Sequence, residues 1–216
     1  MKLGPSKVGI LALGSHEEKH GAALPPDTDA KLASHVALEA AARTGAKFLG
    51  VLYASYELPG IDTGRHQPLE QLIDELVSTL RAAKETLRLE GVVLVNGHGG
   101  NEPLRDHIRE IERRLSMRLF FNNAIVDLEG PHAATGELSM GMAVGITDAS
   151  KLAEHIDFTR YPEVGFVGLT EAQERYPWAK QHARDLGKVG IRADRFLGKK
   201  LVECTVADVV NNVREL

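Results

Sequence analysis

One cysteine in 216 residues, Cys204, leaves an internal disulfide without a second partner, and nothing else in the chain points to an oxidising compartment. A reducing cytoplasm is expected. Neither sign of charge dominates: 26 Lys+Arg against 30 Asp+Glu give a net charge of -4, so the surface has no positive field of the kind that draws nucleic acid. DNA or RNA binding is not expected. Long hydrophobic runs are missing too. The stretch Val8 to Leu13 is too short to span a membrane, has no small-residue cleavage site behind it, and runs straight into Gly14-Ser15-His16-Glu17-Glu18. It reads as a first buried strand, and no membrane partner is expected. The chain also lacks an internal repeat, a low-complexity tract, a flexible linker and a P-loop pattern. Its length fits a single domain over residues 1–216.

What is present is alternation. Short β-rich runs, Val8 to Leu13, Phe48 to Tyr53, Val92 to Val95 and Arg118 to Val126, are separated by stretches of helical periodicity. Parallel neighbours need a crossover and a helix is the usual one, so the order predicts an α/β three-layer sandwich around a mostly parallel central sheet. The first helix is expected to open near Thr28 or Asp29, either of which can cap it, and to stop at Thr44-Gly45. A second covers about Pro68 to Leu89, with Leu69, Leu72, Ile73, Leu76 and Leu80 stepping by three or four. A third runs from Asn101 to about Leu115, with Pro103 in its first turn. Between about Leu128 and Arg195 the alternation weakens into an elaborated loop region with short helical pieces. Val202 to Val213 reads as a final amphipathic helix, in which Cys204 is expected to be a packed thiol.

Chemistry-bearing residues fall at the carboxyl ends of the strands, where open α/β sheets bind their ligands. Glu18 and His20 follow the first strand, Asp29 opens the first helix, and His98 follows the third strand in Asn96-Gly97-His98-Gly99-Gly100-Asn101. Each has a plainer explanation: Asp29 as a helix cap, Glu18 and His20 as a solvated loop, Asn96-Gly97 as a turn. Together they supply a mixed nitrogen and oxygen ligand set for divalent metal. Glu137, in His132-Ala133-Ala134-Thr135-Gly136-Glu137-Leu138-Ser139, is a fifth candidate.

Three segments resemble the signatures of the creatininase family. Gly14 to Asp29, with Glu18-Lys19-His20-Gly21 and Leu24-Pro25-Pro26-Asp27-Thr28-Asp29, is similar to its first motif; Asn96 to Asn101 to its second; His132-Ala133 with Glu137-Leu138-Ser139 to its third. The resemblance covers most of the chain. It implies an amidohydrolase acting on C–N bonds at a two-metal centre, with Glu18, His20, Asp29 and His98 as ligands, Asp29 bridging, and Glu137 as the remaining ligand. Creatininase itself has a carboxylate two positions after the second-motif His, where this chain has Gly100. That departure places the load on Glu137 and argues against creatinine as substrate. Ala23 and Leu138 also depart from the pattern without removing a ligand. The short length, the Glu57-Leu58-Pro59-Gly60 run and the altered first motif look most like an archaeal subgroup that removes formate from a formamidopyrimidine ribonucleotide.

The resemblance therefore implies a small nucleotide-like substrate, a homo-oligomer, and two divalent ions: Fe(II), with Fe(II), Zn(II) or Mn(II) at the second position. His132 is the candidate proton donor to the leaving amine, with Glu17 as the other choice; His132 would equally serve to orient Glu137. Arg65 and Arg160 are candidate phosphate contacts, whereas Arg105, Arg109 and Arg113, interleaved with Asp106, Glu110 and Glu112, read as a solvated helix face. Two alternatives stay open: another amidohydrolase of the same type acting on a cyclic amide or other C–N bond, and a non-catalytic nucleotide- or metal-binding α/β protein.

Overall fold

Four strands, β1 (Val8–Leu13), β2 (Lys47–Leu52), β3 (Gly91–Asn96) and β4 (Arg118–Asn122), pair in the order β2-β1-β3-β4, and every pairing is parallel. The structure is a computed structural model and describes residues 2–216. The central strands β1 and β3 are buried along their whole length, as unbroken apolar runs in a sheet covered on both faces should be. The edge strand β2 is only half-buried.

Nine α-helices accompany the sheet among the described residues: α1 (Thr28–Thr44), α2 (Leu69–Leu87), α3 (Leu104–Leu115), α4 (Ala124–Glu129), α5 (Thr135–Val144), α6 (Leu152–His155), α7 (Thr170–Arg175), α8 (Pro177–Val189) and α9 (Arg195–Glu215). One face of the sheet carries Leu72, Leu76 and Leu80 of α2 with Ile108 and Ile111 of α3. The other carries Leu32 and Val36 of α1, Ile125 of α4, Met140 of α5 and Val206, Val209 and Val213 of α9. The result is the expected three-layer sandwich. No described helix is long and apolar enough to cross a membrane.

Several boundaries differ from the sequence reading for visible reasons. The fourth strand ends at Asn122, whose amide donates to Asp208 and Asn212 at 2.6 Å each and accepts from Ala124 N–H; the chain then turns into α4, so Ala124 to Val126 are helical. The last helix begins seven residues before Val202, because Asp194 accepts from the N–H groups of Phe196 and Leu197 as an N-cap. Residues 128–195 hold the expected short helical pieces as α5 to α8, of which α5 and α8 are longer than an elaborated loop region suggests. Cys204 is exposed: α9 turns Thr205, Val206 and Val209 inward and leaves the thiol on its solvent side, correcting the packed-thiol expectation.

The strand order fixes where a ligand can enter. The chain leaves β1 toward β2 on one side and returns to β3 on the other, so a crevice opens beyond the carboxyl ends of β1 and β3.

Candidate metal centre

The loop from Gly14 to Asp27 folds back over the start of α1, held by Glu18 N–H to the Pro26 carbonyl at 3.1 Å and by a bridge between Glu18 and Gly64. This sets Glu18 and His20 above Asp29 in the first turn of α1. Asp29 does not cap the helix. Asp27 occupies the N-cap position without a side-chain cap bond, while the Asp29 carboxylate is spent on two imidazoles.

The loop after β3 is cross-linked by its own asparagines. Asn96 donates to the His98 carbonyl at 2.7 Å and to Asn123 at 2.8 Å, and accepts from His98 N–H and from the Asn101 amide. Asn101 in turn accepts from Tyr56 N–H at 2.9 Å. Gly97 is required by close approach, since a Cβ there would lie 2.4 Å from the Asp29 carbonyl oxygen. The β3 loop is therefore pressed onto the first turn of α1, and His98 meets Asp29.

Each of these two histidines spends one ring nitrogen on backbone and turns the other to two carboxylates. His20 Nδ1 donates to the Glu18 carbonyl at 3.3 Å, and its Nε2 lies 2.9 Å from Asp29 Oδ1 and 3.1 Å from Glu137 Oε1. His98 Nε2 donates to the Tyr56 carbonyl at 2.9 Å, and its Nδ1 lies 2.7 Å from Glu18 Oε2 and 2.9 Å from Asp29 Oδ2. Backbone bonds of this kind fix the tautomer and ring orientation of metal-binding imidazoles. The result is two triads, His20·Asp29·Glu137 and His98·Asp29·Glu18, joined by opposite oxygens of one carboxylate. All five side chains are buried.

Electrostatics support the same reading. Burial alone would lower His20, yet the Glu137 and Asp29 carboxylates outweigh it and hold the imidazole well above its ordinary range. Burial likewise opposes the charge of His98, and Glu18 and Asp29 hold that ring well above its range too. Burial works to raise Asp29 and Glu137, but the facing imidazoles pull Asp29 well below the usual carboxylate range and lower Glu137. Glu18 is raised, first by burial and then by the neighbouring Asp29 charge. Although Glu18 Oε2 is close to His98 Nδ1, it accepts no aligned hydrogen bond and is a buried oxygen without a partner. Three carboxylates and two tautomer-fixed imidazoles, one oxygen unsatisfied, fit divalent cations in an oxygen and nitrogen shell.

Beside the triads lies a cavity of about 390 Å³, bounded by Glu18, His98, Glu129 and His132 on its inner side and by Phe166 and Trp178 further out. His132 borders it with Nδ1 3.8 Å from Glu18 Oε1, while its Nε2 donates to the Lys19 carbonyl at 2.8 Å. Glu17 is not brought to this cavity. Its carboxylate is partly exposed and pairs with Arg65 at 3.6 Å, lining a separate open groove on the far side of Glu18. Arg160 borders that groove and is paired with Glu154 at 2.6 Å; neither arginine lines the cavity. Arg105 pairs with Glu102 at 3.3 Å across the surface of α3.

Several residues at the site were missed by sequence reasoning. Glu129 ends α4 with Oε2 unpartnered, and burial, reinforced by the Glu137 and Asp29 charges, holds its carboxyl well above the usual range. His66 stacks on His98 with ring centroids 5.1 Å apart and is pushed down to about 4 by burial and by the His98 charge. Glu57 accepts from Leu58 N–H and from the Thr63 hydroxyl, with an oxygen near His98 and His66. Glu129 fell just past a run read as a strand. His66 reads from sequence as a solvated loop histidine, and Glu57 only as part of the Glu57 to Gly60 run; neither is marked as a site residue by spacing.

The family described as creatinine amidohydrolase (Creatininase) matches residues 2–213. Among curated proteins, the 2-amino-5-formylamino-6-ribosylaminopyrimidin-4(3H)-one 5'-monophosphate deformylase of Methanothermobacter thermautotrophicus is 48% identical over 211 residues, covering 97% of this chain and 89% of that protein. The protein of the same name from Methanosphaera stadtmanae is 43% identical over 210 residues, covering 97% and 90%. Among solved structures, a creatinine amidohydrolase (creatininase) superposes with a TM-score of 0.70 at 18% identity, covering 96% of this chain and 89% of that one. A structure described as creatininase Mn gives 0.69 at 18% identity, covering 97% and 91%.

Proposed function

The chain belongs to the creatininase family, and on that premise we propose that it hydrolyses the formamide of 2-amino-5-formylamino-6-ribosylaminopyrimidin-4(3H)-one 5'-monophosphate, releasing formate and the free 5-amine. The observation that carries the reading is the pair of buried triads sharing Asp29, of which Glu18 and His98 border a cavity, in a chain 48% identical to a protein of that name. In the pathway sense, this is a step toward flavin and deazaflavin coenzymes.

His20, Asp29 and Glu137 would hold one divalent ion and His98, Asp29 and Glu18 the other. Two ions at such a site supply Lewis acidity toward an amide oxygen and acidify water near neutral pH. The ligand set suits Fe(II), Zn(II) or Mn(II); Fe(II) is the assignment for one position, with any of the three at the second. One of the solved relatives is described as Mn and another as Zn-Zn type.

The rest is done by the chain. The facing imidazoles favour the charged carboxylates of Asp29 and Glu137, and the backbone bonds of His20 and His98 hold the second ring nitrogen in place. His132 borders the cavity and would hand a proton to the departing amine nitrogen. Its position beside Glu18, and the direction of Glu17 toward Arg65 on the surface, favour His132 over Glu17 in that role. Phe166, Trp178, Ile61 and Leu58 give the cavity an apolar wall for a planar pyrimidine and keep bulk water from the reacting carbon.

The test is formate release from the formamidopyrimidine ribonucleotide by anaerobic, Fe(II)-reconstituted protein against a chelated sample. Metal-dependent release is expected. Two bound metals without release would leave an amidohydrolase of another substrate; no metal and no release would support the non-catalytic alternative.

A further inference from the structure

His155 ends the four-residue helix α6, far in sequence from every motif, yet its fully buried ring sits between two of them. Ala23 N–H donates to His155 Nδ1 at 3.1 Å, so Nδ1 is the acceptor and Nε2 carries the hydrogen. That Nε2–H donates to the Ala133 carbonyl at 2.7 Å. The ring leaves no slack on the other side: a Cβ on Gly21, next to His20, would lie 2.3 Å from Nδ1.

Ala133 is the unusual partner. It is fully buried and has φ of 53°, the left-handed region that a residue with a Cβ avoids, so its peptide is held there by its bonds and not by preference. The same residue's N–H donates to Glu137 Oε2 at 2.6 Å, which leaves Glu137 Oε1 facing His20 Nε2 at 3.1 Å. One imidazole thus ties the segment carrying His20 to the residue that aims Glu137.

We propose that His155 is a positioning residue of the His20·Asp29·Glu137 triad, acting through the Ala133 backbone, whose carbonyl it binds and whose N–H holds Glu137 with one oxygen turned to the metal position. The proposal rests on the metal-centre reading above. It assigns His155 no contact with substrate and no proton transfer. The direct outer partner of Glu137 is the Ala133 N–H; loss of such a partner weakens metal binding by about 10–100-fold, which is the ceiling for loosening it from one residue further out.

The experiment is equilibrium Mn(II) binding to the metal-free full chain, read as stoichiometry and affinity, for wild type, His155→Leu and His155→Gln, with far-UV circular dichroism and Tm as the check on folding. Wild type is expected to take up two ions. His155→Leu should weaken one of them by about tenfold, the low end for an outer partner, while leaving the other unchanged. His155→Gln, whose amide nitrogen can still reach the Ala133 carbonyl, should recover much of the loss, and it keeps the test open if the leucine variant does not fold. In a Glu137→Gln background, His155→Leu should add no further loss. Two ions bound by His155→Leu with wild-type affinity, or additive losses in the double variant, would overturn the positioning role alone. No Mn(II) uptake by the folded wild type would overturn the metal reading beneath it.

Discussion

Chelation should lower the melting temperature of this protein by an amount set by the number of metal positions. The two triads share Asp29 but are otherwise separate, so on the proposed reading the folded chain would take up two ions, and neither site would exist in the unfolded one. At a free metal concentration about 100 times each Kd, linkage gives about 2.7 kcal/mol per site, or about 5 kcal/mol for two. In a chain of this size each kcal/mol moves Tm by about 2–4 °C, so the loaded and chelated proteins should differ by about 10–20 °C. Scanning calorimetry with and without a chelator reads the difference, with Asp29→Asn as the control: it keeps the shape of the side chain, lowers the charge between the triads and should lose most of the metal-dependent increment. The metal-free protein should still unfold cooperatively, because His20 and His98 remain paired with carboxylates. A chelator-insensitive Tm, or an increment that Asp29→Asn leaves intact, would refute the reasoning.

Two further outcomes follow from the same geometry. Carboxylates hold His20 and His98 well above the ordinary imidazole range, so each carries a proton in the metal-free protein at neutral pH, and loading should expel about one proton per ion. The stability those raised groups contribute to the metal-free form is complete below the ordinary imidazole value of 6.5 and is lost as pH rises through their higher folded values. Metal affinity should accordingly rise with pH, and calorimetric titration in buffers of different ionisation enthalpy should show the release; a buffer-independent heat would contradict it. Gly97→Ala places a methyl 2.4 Å from the Asp29 carbonyl, against backbone that cannot swing away, and should cost about 1–3 kcal/mol in denaturant unfolding. Unchanged stability in that variant would mean that the β3 loop is not pressed onto α1.

The layered fold was legible because its signals are local. Unbroken apolar runs such as Val8 to Leu13 and a three-and-four stripe such as Leu72, Leu76 and Leu80 are what a covered parallel sheet and its helices require. The five proposed ligands were legible for a different reason: they stand in three motifs whose order the family resemblance preserves. What escaped was set by tertiary contact. Gly198 is bare because α9 crosses α5 so closely that a Cβ there would meet the Ser139 carbonyl, a constraint invisible to helix periodicity. Glu129 and His155 are single polar residues in segments without a pattern; only the folded chain shows that one borders the cavity and the other joins two motifs. Asn96 and Asn101 were seen as parts of a motif, but their work as cross-links of the His98 loop depends on partners at Asn123 and Tyr56 that lie far away in sequence.

A two-ion centre bridged by Asp29 would be seen in anomalous diffraction from metal-loaded crystals. Two peaks are predicted, one within bonding distance of His20, Asp29 and Glu137 and the other of His98, Asp29 and Glu18. A single peak, or a pair that does not share Asp29, would contradict the account.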